Sequence, residues 1–136
     1  MTFEELQTQL DNDLNISDEN IAEKSLCLAR IYQKYLKLLT SEKLKNDKIE
    51  IVRKELYGKL FHDLIKNGHE GFDVGKQRNS IEPYIFMNES YRKLESQTIT
   101  NEHFIEHLEM ALKNISTVSF NIKNNIDARK LKLGLT

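Results

Sequence analysis

Two stretches of the chain hold residue types that could do chemistry. In "HFIEH", His103 and His107 stand four apart around Glu106. This is the His-x-x-Glu-His order in which two imidazoles on one helical face share a zinc ion and the glutamate acts as base. Hydrolysis on such a pair also needs a third ligand and a shaped cleft. Glu109 and Asp127 are the only acids after His107, and Glu109 sits too near the pair to reach round a metal. The spacing reads as two polar residues flanking an apolar seam through Phe104 and Leu108. No Gly-rich phosphate loop, Ser/His/Asp order or Cys/His cluster occurs. The sequence therefore predicts no enzyme, no metal site and no cofactor.

The second stretch is "RKELYGKLFHDLIKNGHEG", residues 53–71. At about 100° per residue, Ile49, Val52, Leu56, Leu60 and Leu64 share one helical face. Lys48, Lys59, His62 and Lys66 line up within about 60° of each other on a neighbouring face, with Glu55 among them. Lys54 falls on the other flank near Phe61, and Arg53 lies inside the apolar arc, from which it would have to snorkel out. Two readings fit. One is a solvated face with a Glu55–Lys59 pair at i,i+4. The other is a line of cations that tracks phosphates, with Tyr57 and Phe61 near enough to stack bases. Gly58 stands mid-helix, where glycine is about 1 kcal/mol less favourable than alanine, so it could permit close approach by another backbone.

The elements that would position these residues are helical. Thr2 and Glu5 form a Thr-x-x-Glu capping box, and Phe3, Leu6, Leu10 and Leu14 recur at helical spacing after it. Ser17 or Asp18 offers the next N-cap. Ile21, Leu28, Ile31, Tyr35 and Leu38 then follow coiled-coil spacing. "TSEKLKNDK" interrupts that seam, either as a turn between two helices or as an exposed stretch of one long helix. The seam resumes at Ile49 and runs to about Lys66. Gly68 is suited to a left-handed C-cap, and three glycines in eight residues make a loop. "IEPYIFM" reads as a short extended segment that Pro83 limits to an edge strand or a strand start. From Asn88, a second N-cap, helical patterning runs to about Leu131 through Phe104, Leu108, Ala111, Ile115, Val118, Ile122 and Ile126. "TIT" at 98–100 is its weak point.

Length and composition agree with this outline. The 136 residues suggest one domain, and 39% hydrophobic against 30% charged residues leave a thin core. Five Gly and one Pro are too few for a fold rich in tight turns. Cys27, the lone cysteine, supports no disulfide framework and fits a reducing compartment. No signal peptide is expected, and no stretch approaches the roughly 20 apolar residues of a membrane span. The net charge of −1 is unevenly spread. Residues 1–23 carry seven acids and no Lys or Arg, whereas residues 24–66 carry eleven Lys and Arg against five acids. Such a chain can present a basic surface despite its neutral balance.

The motifs in their order resemble the UvsY family, recombination mediators of T-even-like phages, over nearly the whole chain. "EELQTQLDND" looks like the family's N-terminal start. "LYGKL" at 56–60, followed by a Gly-containing acidic loop and Phe72, stands where the family has a Leu-Lys-Ala-Arg-Leu segment implicated in single-stranded DNA binding. Leu56 and Leu60 match that segment and Lys59 replaces its arginine. Tyr57 and Gly58 replace its lysine and alanine, which lowers the local cation count. "FIEHLEMALKNI" followed by "FNIKNNI" is similar to the long C-terminal helix of marine-phage members. Phe120, Ile122, Lys123, Asp127, Arg129 and Gly134 resemble the family's C-terminal pattern.

The resemblance implies a mainly α fold of long intertwined amphipathic helices with a small β element, assembled into a ring of six to eight copies. It implies one domain over 1–136: an acidic N-terminal helix (1–16), a basic helical region (18–66), a loop and short strand (67–88), and a long oligomerisation helix (89–131). It further implies a protein in the cytoplasm of the infected bacterial host that binds single-stranded DNA, displaces the phage single-strand-binding protein and loads a RecA-like recombinase of the UvsX type. The residues expected at the DNA are Lys48, Arg53, Lys54, Tyr57, Lys59 and Lys66. Those expected between subunits are Phe104, Leu108, Ile115, Ile122 and Ile126. The competing expectation is a helical adaptor or assembly scaffold that binds no DNA.

Overall fold

The computed structural model describes residues 1–17 and 20–134. Four helices follow one another: α1 (Phe3–Asp13), α2 (Ile21–Asn67), α3 (Arg78–Met87) and α4 (Glu89–Lys132). The chain divides into two compact units, Met1–Ser41 with Phe104–Thr136, and Glu42–His103. Both α2 and α4 contribute to each.

Local chemistry sets most of the helix ends. At α1 the Thr2 hydroxyl accepts the Glu5 N–H at 3.2 Å while the Glu5 carboxylate accepts the Thr2 N–H at 3.1 Å, as the capping box requires. Ahead of α2, Ser17 does not cap the helix. Asn20 stands next to Ile21, accepts the Ser17 N–H at 2.6 Å and donates to the Asn15 carbonyl. Asp18 lies outside the described residues. Helix α2 then runs without a break through 40–47, because Leu, Lys and Glu there favour helix and nothing removes a backbone donor. Its last turn closes at Gly68, whose φ is +71° and whose N–H reaches the Leu64 carbonyl at 3.0 Å. At the start of α4 the Asn88 side chain accepts the Tyr91 N–H at 3.0 Å, so Asn88 caps as its type suggests.

The small β element expected at "IEPYIFM" is not there. Those residues lie in α3, and among the described residues no strand occurs. Ile81 and Ile85 fall on one face whether the segment is extended or helical, so their spacing does not discriminate. An extended segment would need a neighbouring strand to satisfy its backbone, whereas a helix closes its own hydrogen bonds apart from the one N–H that Pro83 lacks. Among the described residues the one β-type pairing is the bridge between His69 and Phe72, which exchange two backbone hydrogen bonds of 2.9 Å. Glu70 (φ 52°) and Gly71 (φ 85°) give the turn between them the left-handed geometry of a type I′ turn.

A side chain at Gly68 would run into the carbonyl of Phe72 in that turn. Gly68→Ala therefore meets both the left-handed penalty and a backbone clash, and is expected to lower stability by about 2 kcal/mol or more. Urea unfolding followed by circular dichroism checks this; unchanged stability would mean that the turn is not held against the helix end.

In the first unit, Leu6 and Leu10 of α1 enter a core with Leu28, Ile31, Tyr35 and Leu39 of α2 and the α4 seam. The Phe3 ring meets the Phe104 ring edge to face at 5.4 Å. The C-terminal end of α1 is tied to α2 by polar contacts: Tyr35, fully buried, donates its hydroxyl to Asp13 at 2.6 Å, and the Lys34 ammonium reaches the same oxygen at 2.8 Å. Burial pushes the Asp13 carboxyl up, but the hydrogen bonds from Lys34 and Tyr35 and the charges of Lys34 and Lys24 outweigh it and hold the carboxyl below its ordinary value. Burial and Asp13 together push the Tyr35 hydroxyl well above the usual phenol range.

A depressed carboxylate contributes stability above its unfolded pKa and loses it in acid. Asp13→Asn should accordingly be less stable than the native chain near neutrality. The gap should close progressively below about pH 4, where the unfolded carboxylate takes up its proton. Paired denaturation curves at several pH values test it, and a gap that persists in acid would assign the effect to packing alone.

Candidate nucleic-acid interface

The second unit holds the cation line. Leu56, Leu60 and Leu64 of α2 pack with Tyr57 and Phe61 around Val74, Ile81, Ile85 and Tyr91. That packing fixes the rotation of α2 and turns the opposite arc to solvent. Lys48, Lys59, His62 and Lys66 are all exposed on that arc. Among the described residues none of the three lysines forms an ion pair, and the Glu55–Lys59 pair is not made. Lys54, exposed on the flank, is also unpaired among the described residues. Val52 is half exposed rather than part of the apolar face.

The other two expected DNA contacts are engaged elsewhere. Arg53 is half-buried and its guanidinium pairs with Glu50 at 2.9 Å. Tyr57 is half-buried, stacks on Phe61 with ring centroids 6.1 Å apart, and donates its hydroxyl to Glu82 of α3 at 2.7 Å. The Arg78 guanidinium closes on the same Glu82 oxygen. The bond to Glu82 pushes the Tyr57 phenol up, while Tyr57 and then Arg78 hold Glu82 below the usual carboxylate range. This Tyr57–Glu82–Arg78 node fastens α3 to α2. Arg78 and Glu82 are four apart, which is the one trace of it in the sequence; the tyrosine's share depends on where α3 folds.

The remaining candidates lie in the first unit. Phe104, Leu108, Ile115 and Ile122 are buried within the chain's own core, against α1 and the first half of α2. Ile126, 40% exposed, is the only one of the five expected subunit contacts that remains open. His107 faces α1, with Nε2 3.2 Å from the Gln7 side-chain oxygen and its ring edge-on to Phe3 at 5.8 Å. Among the described residues no cluster of three His, Cys, Asp or Glu could hold a metal ion.

A family model described as "Recombination, repair and ssDNA binding protein UvsY" matches residues 9–135. The chain belongs to the UvsY family. The crystal structure of the bacteriophage T4 recombination mediator protein UvsY superposes with a TM-score of 0.82, covering 98% of each chain at 20% identity. At that identity the likeness to the T4 protein shows a shared fold. No curated protein matches the chain. Membership places the exposed lysine line within a family of recombination, repair and single-stranded DNA-binding proteins. No helix among the described residues is long and apolar enough to cross a membrane.

Proposed function

We propose that the chain is a phage recombination mediator that binds single-stranded DNA along Lys48, Lys59 and Lys66, with Lys54 at the flank. The observation that carries this reading is the set of exposed lysines on one face of α2, unpaired among the described residues, in a member of the UvsY family. Phosphate contacts need cations that are free to shed counterions, and these four are. Tyr57 acts instead in fastening α3 to α2, and Arg53 is paired with Glu50 on its own helix.

In this reading the chain works as a ring of six to eight copies in the cytoplasm of the infected host. One short cation line binds phosphates weakly, and several lines on one assembly raise the avidity without any new contact. The ring loosens the phage single-strand-binding protein from DNA and helps a RecA-like recombinase of the UvsX type nucleate on the freed strand. Its chemistry is non-covalent.

Fluorescence anisotropy with labelled oligo-dT over a salt series tests the first part. Affinity should fall steeply and linearly on logarithmic axes as salt rises. The absence of any salt-dependent binding would favour the adaptor reading. For the second part, recombinase filament formation on strands coated with single-strand-binding protein should have a shorter lag when the chain is added.

A further inference from the structure

The outer face of α2 carries more than lysines. Leu44 and Ile51, each 57% exposed, and Ile65, 38% exposed, recur every seven residues with Gly58 between them. Seven-residue spacing keeps such positions on one slowly drifting line of the helix surface. A side chain added at Gly58 would meet nothing within 4 Å. The fold of this chain therefore does not require a glycine there, and the lane is an uncovered apolar strip with a notch. Lysines border it on both sides, Lys54 on one and Lys48 and Lys59 on the other, outnumbering Asp47 and Glu55.

In the same unit α4 carries the converse. Glu95, Ile99 and Glu102 lie within about 60° of each other on the helix. Ile99 is 49% exposed and Glu102 is exposed, so an apolar tip stands between two carboxylates, with Arg92 at the end of the ridge.

We infer that these two faces are the halves of one contact between copies of this chain, the α4 ridge of one copy seated on the α2 lane of the next. The inference rests on the self-association in the proposed function and names the surfaces that carry it. Charge selects the pairing. Lane against lane would set lysines against lysines, and ridge against ridge glutamates against glutamates, whereas ridge on lane sets Glu95 and Glu102 against the lysine border. Because the two patches differ, the contact is head-to-tail, and repetition closes it into a ring when the rotation allows. Lys48 and Lys59 border the lane and also belong to the phosphate line, so the ridge carboxylates and the DNA phosphates draw on the same cations where the copies meet. Single-stranded DNA would then pass along the seam between neighbouring copies.

The test uses two full-length variants, Ile51→Asp on the lane and Ile99→Asp on the ridge, with mass photometry and circular dichroism. Each alone is expected to be helical and monomeric, because every contact then has one damaged side. An equimolar mixture is expected to give a pair and nothing larger, since the intact ridge of one chain meets the intact lane of the other and growth stops there. Leu44→Asp, a second lane variant, should behave as Ile51→Asp does and covers a failure of the Ile51→Asp chain to fold. Native-sized assemblies from the single variants, or a mixture of folded chains that stays monomeric, would overturn the inference while leaving the ring itself standing. A native chain that is monomeric at micromolar concentration would instead remove the self-association on which it rests.

Discussion

Ile115→Asp is expected to unfold the first unit rather than merely separate one copy from another. Ile115 is 1% exposed, enclosed by residues of its own chain. Removing a buried isoleucine side chain costs about 2–5 kcal/mol. Leaving an unpaired carboxylate in its place adds several kcal/mol more. Together these approach the whole stability of an ordinary domain, about 5–15 kcal/mol. Circular dichroism should show much of the helical signal lost at room temperature and no cooperative urea transition for the unit. Ile126→Asp supplies the contrast: at 40% exposure it should alter stability by only about 0.5 kcal/mol. If Ile115→Asp left the helices intact and reduced only the assembly mass, the α4 seam would lie between copies instead of inside one.

The next largest effect concerns DNA. Replacing Lys48, Lys59 and Lys66 together with alanine should leave helix content unchanged, because all three are exposed and unpaired among the described residues. Each phosphate contact to a single strand contributes about 0.7 to the slope of log affinity against log salt, so the slope should become shallower by about 2 per chain. Near 0.1 M salt the affinity should fall roughly tenfold to a hundredfold. Backbone contacts carry no base information, so oligo-dT and mixed sequences should lose similar amounts. An unchanged slope would move the site to the other basic segment, around Lys123, Arg129 and Lys130.

Much of the helical outline is legible in the sequence. The Thr2–Glu5 box, the glycine at 68 and the asparagine at 88 act through hydrogen bonds or backbone angles within a few residues, and such signals survive in any fold that keeps the helix. The seam from Phe104 to Ile122 was legible for the same reason, since periodicity marks a buried face. The cation line was legible as an angle: Lys48, Lys59 and Lys66 share a face on any straight helix.

What covers a buried face is a different question, and periodicity does not contain the answer. The α4 seam pairs with α1 and α2 of the same chain because the chain folds back on itself, a fact of topology that no spacing records. The segment 81–87 could bury Ile81 and Ile85 equally well as strand or helix; among the described residues there is no strand for it to pair with, and as α3 it closes its own backbone hydrogen bonds. Whether a cation is free is likewise tertiary. Arg53 and Lys59 look alike in the sequence, yet Arg53 is half-buried and paired with Glu50, whereas Lys59 stands exposed. Sequence determined the helices and the residues each places on a face; only the tertiary structure decided which faces remain available, because availability depends on every element that packs nearby.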